Sequence, residues 1–128
     1  MSADSRIRQT LALYAQRHDA RDAEGFVSLF VEDALFVMRG RELVGRGAIT
    51  ETMTALYSNQ PSDRRTKHLC GDALINVEGA EATALSDVVV LDRVGGGPWQ
   101  IYQVNRYIDH MVKVENRWLF IERRIEEC

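Results

Sequence analysis

The chain has 128 residues, 45% of them apolar, which is enough for one domain (residues 1–128) with a real core. Its formal net charge is −3, with Arg and Lys dispersed among acids. That argues against a nucleic-acid binder, which needs a basic face to neutralise phosphates.

In chain order, the first third reads as helix. Ile7, Leu11, Tyr14 and His18 recur at helical steps and share one face, while Arg6, Arg8, Gln9, Gln16 and Arg17 fall largely elsewhere. Asp22 can cap a second short helix with Phe26, Leu29 and Phe30 inward. That helix is expected to end near Glu32–Asp33, because Ala34 to Met38 favours strand. Arg39-Gly40-Arg41 reads as a turn and Glu42 to Val44 as a brief strand. Gly45 and Gly47 break the chain before a third helix striped by Ile49, Met53, Leu56 and Tyr57, and the loop-forming stretch Ser58 to Asp63 ends it. Beyond it, long strands are predicted over Thr66–Val77, Ala82–Asp92, Trp99–Val114 and Arg117–Glu126, joined by short turns. Helices first and an antiparallel meander afterwards indicate an α+β fold rather than a doubly wound sheet.

Several classes of chemistry have no motif to support them. There is no nucleophile elbow, zinc-protease helix, C-x-x-C, Walker loop or dinucleotide fingerprint. Gly95-Gly96-Gly97-Pro98 fits a hairpin turn, with no helix after it to cradle phosphate. No cofactor and no metal are expected. Cys70 and Cys128 have no ligand spacing; Cys70 reads as a small buried hydrophobe, and a disulfide to the terminal residue is not expected. Met1 to Arg6 is polar, unlike a secretory signal, and the longest apolar run, Ala34 to Met38, is too short to cross a bilayer. Together these features predict a cytoplasmic setting and no membrane partner.

The polar residues that interrupt apolar faces are more informative. With a period of two, Arg123 shares a strand face with Leu119, Ile121 and Ile125. A guanidinium there costs several kcal/mol unless it is paired or faces a wet cavity. Gln103 and Asn105 interrupt the row from Ile101 to Tyr107 in the same way, as in a pocket lined mainly by hydrocarbon. His68 lies in an alternating strand, and Asp19 lies one residue past the helical stripe. Taken singly, none of these residues outweighs its structural reading: His68 as a hydrogen-bonded strand residue, Asp19 as a cap, Arg123 as an edge-strand charge and Tyr14 as a core aromatic. His110, beside Asp109, reads as surface.

The order of elements resembles the SnoaL-like branch of the nuclear-transport-factor-2-like superfamily, a cystatin-like α+β barrel in which a cone of curved, mixed or antiparallel sheet wraps around three N-terminal helices. The residues that carry the resemblance run from Tyr14 through Asp19, Asp22 and Phe26 to Leu29-Phe30-Val31-Glu32-Asp33-Ala34. Gly45-Arg46-Gly47-Ala48-Ile49, Thr66-Lys67-His68 and Arg117-Trp118-Leu119-Phe120 follow in the family's order. Within that superfamily the pattern is similar to scytalone dehydratase and hexachlorocyclohexane dehydrochlorinase. The resemblance implies an Asp–His pair, matched by Asp19 and His68, and a dehydrochlorinase-type arginine, matched by Arg123. Where the dehydratase has a tyrosine before its aspartate, this chain has His18. The chain also stops soon after its last strand, so the dehydratase's C-terminal lid has no counterpart, and an open pocket or one covered by a neighbouring subunit is expected. Ketosteroid isomerase shares the fold, and Tyr14 matches its oxyanion tyrosine. Its base would fall near Met38 and its second acid near Gln103, which excludes that activity.

The resemblance thus implies a cofactor-independent lyase or isomerase acting on a small, largely apolar molecule, by elimination, isomerisation, cyclisation or epoxide opening. His68 would be the base, Asp19 its orienting partner, and Arg123 the stabiliser of developing negative charge. Tyr14, His18, Gln103 and Asn105 would contact substrate. Two other classes stay open. One is a non-catalytic module for a small hydrophobic ligand. The other is a scaffold subunit, like the small subunit of a ring-hydroxylating dioxygenase, with its cavity filled. A homo-oligomer is expected, through an apolar outer sheet face drawn from Val88 and Val90 or from Tyr102, Val104 and Ile108.

Overall fold

A computed structural model describes all 128 residues. It is a mixed α+β structure with three helices and one curved, unclosed seven-stranded sheet. Helix α1 (Ala3–Asp19) starts at Ser2, whose hydroxyl accepts from the Ser5 amide, and buries Ile7, Thr10, Tyr14 and Ala15. Asp22 caps α2 (Ala23–Val27) by accepting from the Gly25 amide at 2.9 Å. Gly45 adopts a left-handed φ of +86° and turns the chain from strand into α3 (Gly45–Ser58), which buries Ile49, Met53 and Tyr57.

The strands are β1 (Phe30–Met38), β2 (Arg41–Val44), β3 (Arg64–Cys70), β4 (Leu74–Glu78), β5 (Glu81–Val94), β6 (Gln100–Val114) and β7 (Arg117–Glu127). They lie in the order β2-β1-β7-β6-β5-β3, with β4 also paired to β5. The last five strands are antiparallel neighbours, but β1 runs parallel to β7, so the sheet is mixed and not a pure meander. That parallel contact carries the N-terminal third onto the last strand. It fixes Leu29, whose carbonyl accepts from the Phe120 amide at 2.9 Å.

Two expected boundaries shift for physical reasons. The second helix stops at Val27, well short of Glu32, because Phe30 is already paired with Phe120 of β7. The span Thr66–Val77 is two strands and not one. Gly71 donates to the Asp87 carbonyl at 2.8 Å and breaks the run, so β3 pairs with residues 88–94 of β5 and β4 with residues 81–85. Cys70 ends β3 exposed and is not a buried hydrophobe.

Two β-bulges decide which side chains face inward. One lies between Val90 and Leu91 in the β5–β6 pairing, and it skips Tyr102. Ile101 consequently points to solvent, 69% exposed, and does not share the face of Gln103 and Asn105. The second lies opposite His110 and Met111 and skips Ile121 on β7. Before it, Trp118 and Phe120 enter the core cluster; after it, Arg123 does the facing inward, buried to 1%. Leu119 therefore does not belong to the face of Arg123, as unbroken alternation required. Val88 and Val90 pack inside, whereas Ile101, Val104 and Ile108 are exposed on the outer side. No helix is long and apolar enough to cross a membrane.

Candidate functional site

A cavity of about 260 Å³ opens between α1, α3 and the concave side of the sheet. Helix α1 contributes Tyr14 and His18, α3 contributes Leu56 and Tyr57, β3 contributes Arg64, Thr66 and His68, and β6 contributes Tyr102, Gln103, Asn105 and Tyr107. Met38, Val90 and Ile125 add hydrocarbon.

Asp19 ends α1 directly behind His68 on β3. Its Oδ1 lies 2.6 Å from His68 Nδ1 and accepts from the Thr66 hydroxyl at 2.9 Å, while Oδ2 accepts from the His68 backbone amide at 2.9 Å. Burial alone would raise the Asp19 pKa, but these hydrogen bonds outweigh it and hold the carboxyl below its usual value of 3.8. Asp19 is therefore ionised and can only accept, which places the proton of the contact on His68 Nδ1. The His68 side chain is only 7% exposed, and what it shows faces the cavity.

His18 stacks on that imidazole, with ring centroids 4.4 Å apart, and its Nδ1 lies 3.0 Å from the Tyr57 hydroxyl. Burial, reinforced by His68, pushes the His18 pKa down to about 3, so the ring is neutral. Tyr14 is wholly buried and its hydroxyl has no hydrogen-bond partner; burial raises its pKa and keeps it a phenol. Asn105 donates to Gln103 Oε1 at 3.0 Å, which ties the two amides into one polar strip.

Arg123 is placed differently from Asp19 and His68. It does not line this cavity. Its guanidinium lies between the rings of Tyr14 and Tyr107, 4.0 and 3.5 Å from their centroids, with Phe120 at 4.7 Å. Its Nε is 2.9 Å from Asp109 Oδ1, and Nη2 donates to Oδ2 at 3.3 Å. Arg123 and Asp109 are cross-strand partners in register, both buried. Burial pushes the Asp109 carboxyl upward and Arg123 opposes that shift. The far side of Arg123 borders a separate cavity of about 350 Å³ that includes Cys70 and Ser86.

Four of these groups are not singled out by their sequence context. Tyr57 lies in the apolar stripe of α3, yet its hydroxyl anchors His18. Thr66 holds Asp19, two residues before His68 on the same face. Asp109 neutralises Arg123, and the alternation Asn105, Tyr107, Asp109, Met111 was the available signal for it. Tyr102 joins the wall only because of the bulge. No group of three His, Cys, Asp or Glu side chains is close enough to hold a metal ion.

No curated protein matches the chain. Among solved structures, a protein of unknown function from Mycobacterium tuberculosis is 30% identical, with a TM-score of 0.87 over 97% of this chain and 70% of that one. A candidate scytalone dehydratase from Novosphingobium aromaticivorans is 26% identical, with a TM-score of 0.83 over 97% and 83% of the two chains. The β subunit of a candidate aromatic-ring-hydroxylating dioxygenase from the same organism is 24% identical, with a TM-score of 0.84 over 98% and 88%, a likeness of fold. The sequence profile of the SnoaL-like domain matches residues 1–124, and with nearly the whole length covered, the chain belongs to the SnoaL-like family.

Proposed function

We propose that the protein is a cofactor-independent lyase or isomerase that takes a proton from carbon in a small organic molecule, with His68 as the base. The observation that carries this reading is the 2.6 Å contact between Asp19 and His68 Nδ1, on a histidine that itself lines the cavity. With the proton on Nδ1, the lone pair of Nε2 is the one available to substrate. Nε2 takes the proton, the C–H electron pair becomes the new double bond, and the leaving group departs with its bonding electrons. In an isomerisation the same proton returns at another carbon. Asp19 stabilises the imidazolium meanwhile.

Tyr14 and Tyr57 remain protonated, since burial raises both pKa values, and each can donate to a substrate or leaving-group oxygen. Gln103 and Asn105 orient the substrate. Arg123, shielded by Tyr14 and Tyr107, acts as a positioning residue for those two phenols. The candidate dehydratase at 26% identity supports the reaction class. The open cavity weighs against a scaffold role, which calls for a filled one. The same reading includes a homo-oligomer assembled through the exposed outer sheet face and a single domain over the whole chain.

The test is a panel of small β-hydroxy and β-halo carbonyl compounds, followed by absorbance of the unsaturated product, with His68→Ala as the blank. The variant is expected to lose at least about 10²-fold in turnover while keeping its circular dichroism. Equal rates from the two proteins would remove His68 as the base.

A further inference from the structure

Three side chains on the cavity wall are cationic, Arg21, Arg39 and Arg64, and no carboxylate stands among its lining residues. The acids nearby are already engaged. Arg39 pairs with Glu127, and Arg64 donates to Asp92 at 3.0 Å and to Gln60 at 2.9 Å. Asp19 is held by His68 and Thr66, and Asp22 caps α2. Arg21 alone of the three has no acidic partner. Its Nη2 donates to the backbone carbonyls of Pro61, at 3.3 Å, and Arg64, so its charge is held in place without being neutralised.

The backbone adds a second observation. Arg21 and Arg39 have φ of +56° and +52°, and they are two of the three non-glycine residues in the left-handed region. Glycine is cheaper there by about 1 kcal/mol. At Arg21 that conformation closes the end of α1, where the Asp22 amide donates to the Arg17 carbonyl at 3.0 Å, and the side chain leaves it toward the carbonyls of Pro61 and Arg64.

We propose that the cavity takes an amphipathic organic acid: an apolar body against Met38, Leu56, Val90 and Ile125, and one carboxylate at the rim on Arg21, with Arg64 as a second donor. At about 260 Å³ the space suits a small ligand. The planar guanidinium matches a carboxylate better than an ammonium does. The proposal rests on the reading of this cavity as the substrate site, but not on His68 acting as a base, because an unreactive acid binds in the same way.

Calorimetric titration with 2-naphthoate and with 2-naphthamide, neither of which has a leaving group, tests it. The native protein is expected to bind naphthoate about tenfold tighter, with the gap shrinking as salt is raised. Arg21→Gln is expected to close the gap and Arg21→Lys to keep only part of it, with circular dichroism confirming that both variants fold. Equal affinities for the two probes, no binding of either, or a gap unchanged in Arg21→Gln would overturn the acid site. A naphthoate preference in a protein whose turnover is indifferent to His68 would keep the acid site and refute only the lyase reading.

Discussion

In the proposed reaction His68 serves as a base only while Asp19 holds its Nδ1 proton. Asp19→Asn should therefore cut turnover by at least about 10²-fold, with probe affinity changed less than about threefold, because Asp19 does not line the cavity. Lost binding at intact turnover would assign Asp19 a structural role instead. His18 makes a prediction of opposite character. Its pKa falls from 6.5 to about 3 on folding, chiefly through burial, so the folded chain binds this proton less readily than the unfolded chain. Stability from the neutral ring is complete above pH 6.5 and is lost as pH falls from there toward 3, at a slope approaching about 1.4 kcal/mol per pH unit. Asp19, whose pKa is depressed, loses its contribution only below 3.8, outside the upper part of that window. Asp109, whose carboxyl pKa burial raises to about 6, tilts stability the other way over much of this range. Urea melts between pH 4.5 and 6.5 should therefore give the native protein a slope more positive than that of His18→Gln, with the Asp109 contribution common to both. Equal slopes would clear His18.

Strands β6 and β7 carry the fold's most demanding element. Arg123 and Asp109 face each other across the ladder, both buried. Removing one partner leaves the other charge uncompensated, so Asp109→Leu should cost about 3–5 kcal/mol in denaturant melts. Replacing both, with Arg123→Met, should recover most of that loss, because the double change removes both buried charges. If the double variant were as unstable as the sum of the singles, the pair would not be the coupled unit described. The sequence marked Arg123 as needing a partner or a cavity, and the partner is what the fold provides. Asp109 was legible through its alternation with Asn105 and Tyr107, but its neighbour His110 drew the reading toward the surface. The bulges at Tyr102 and Ile121 were not legible, since one extra residue reverses every later side chain while leaving composition and local pattern unchanged.

Across the whole molecule, the parallel contact of β1 with β7 closes the helices over the sheet and leaves an opposite, outer face partly apolar. Val104 pairs with Val89 there, flanked by exposed Ile101 and Ile108. Val104→Glu should shift sedimentation equilibrium toward monomer and leave the far-ultraviolet circular dichroism unchanged. A native protein that sediments as a monomer at all concentrations would refute the homo-oligomer.

Local periodicity was enough to establish the α+β class and the three helices, and the family resemblance nominated Asp19 and His68. Each of those depends on residues near one another in sequence, or on a resemblance spread along the chain. The 2.6 Å meeting of Asp19 with His68, the anchoring of His18 by Tyr57 and the withdrawal of Arg123 from the cavity emerged from folding. So did the uncompensated charge of Arg21. All four join residues far apart in the chain, and their geometry is set by strand register and by two bulges that no pattern along the sequence encodes.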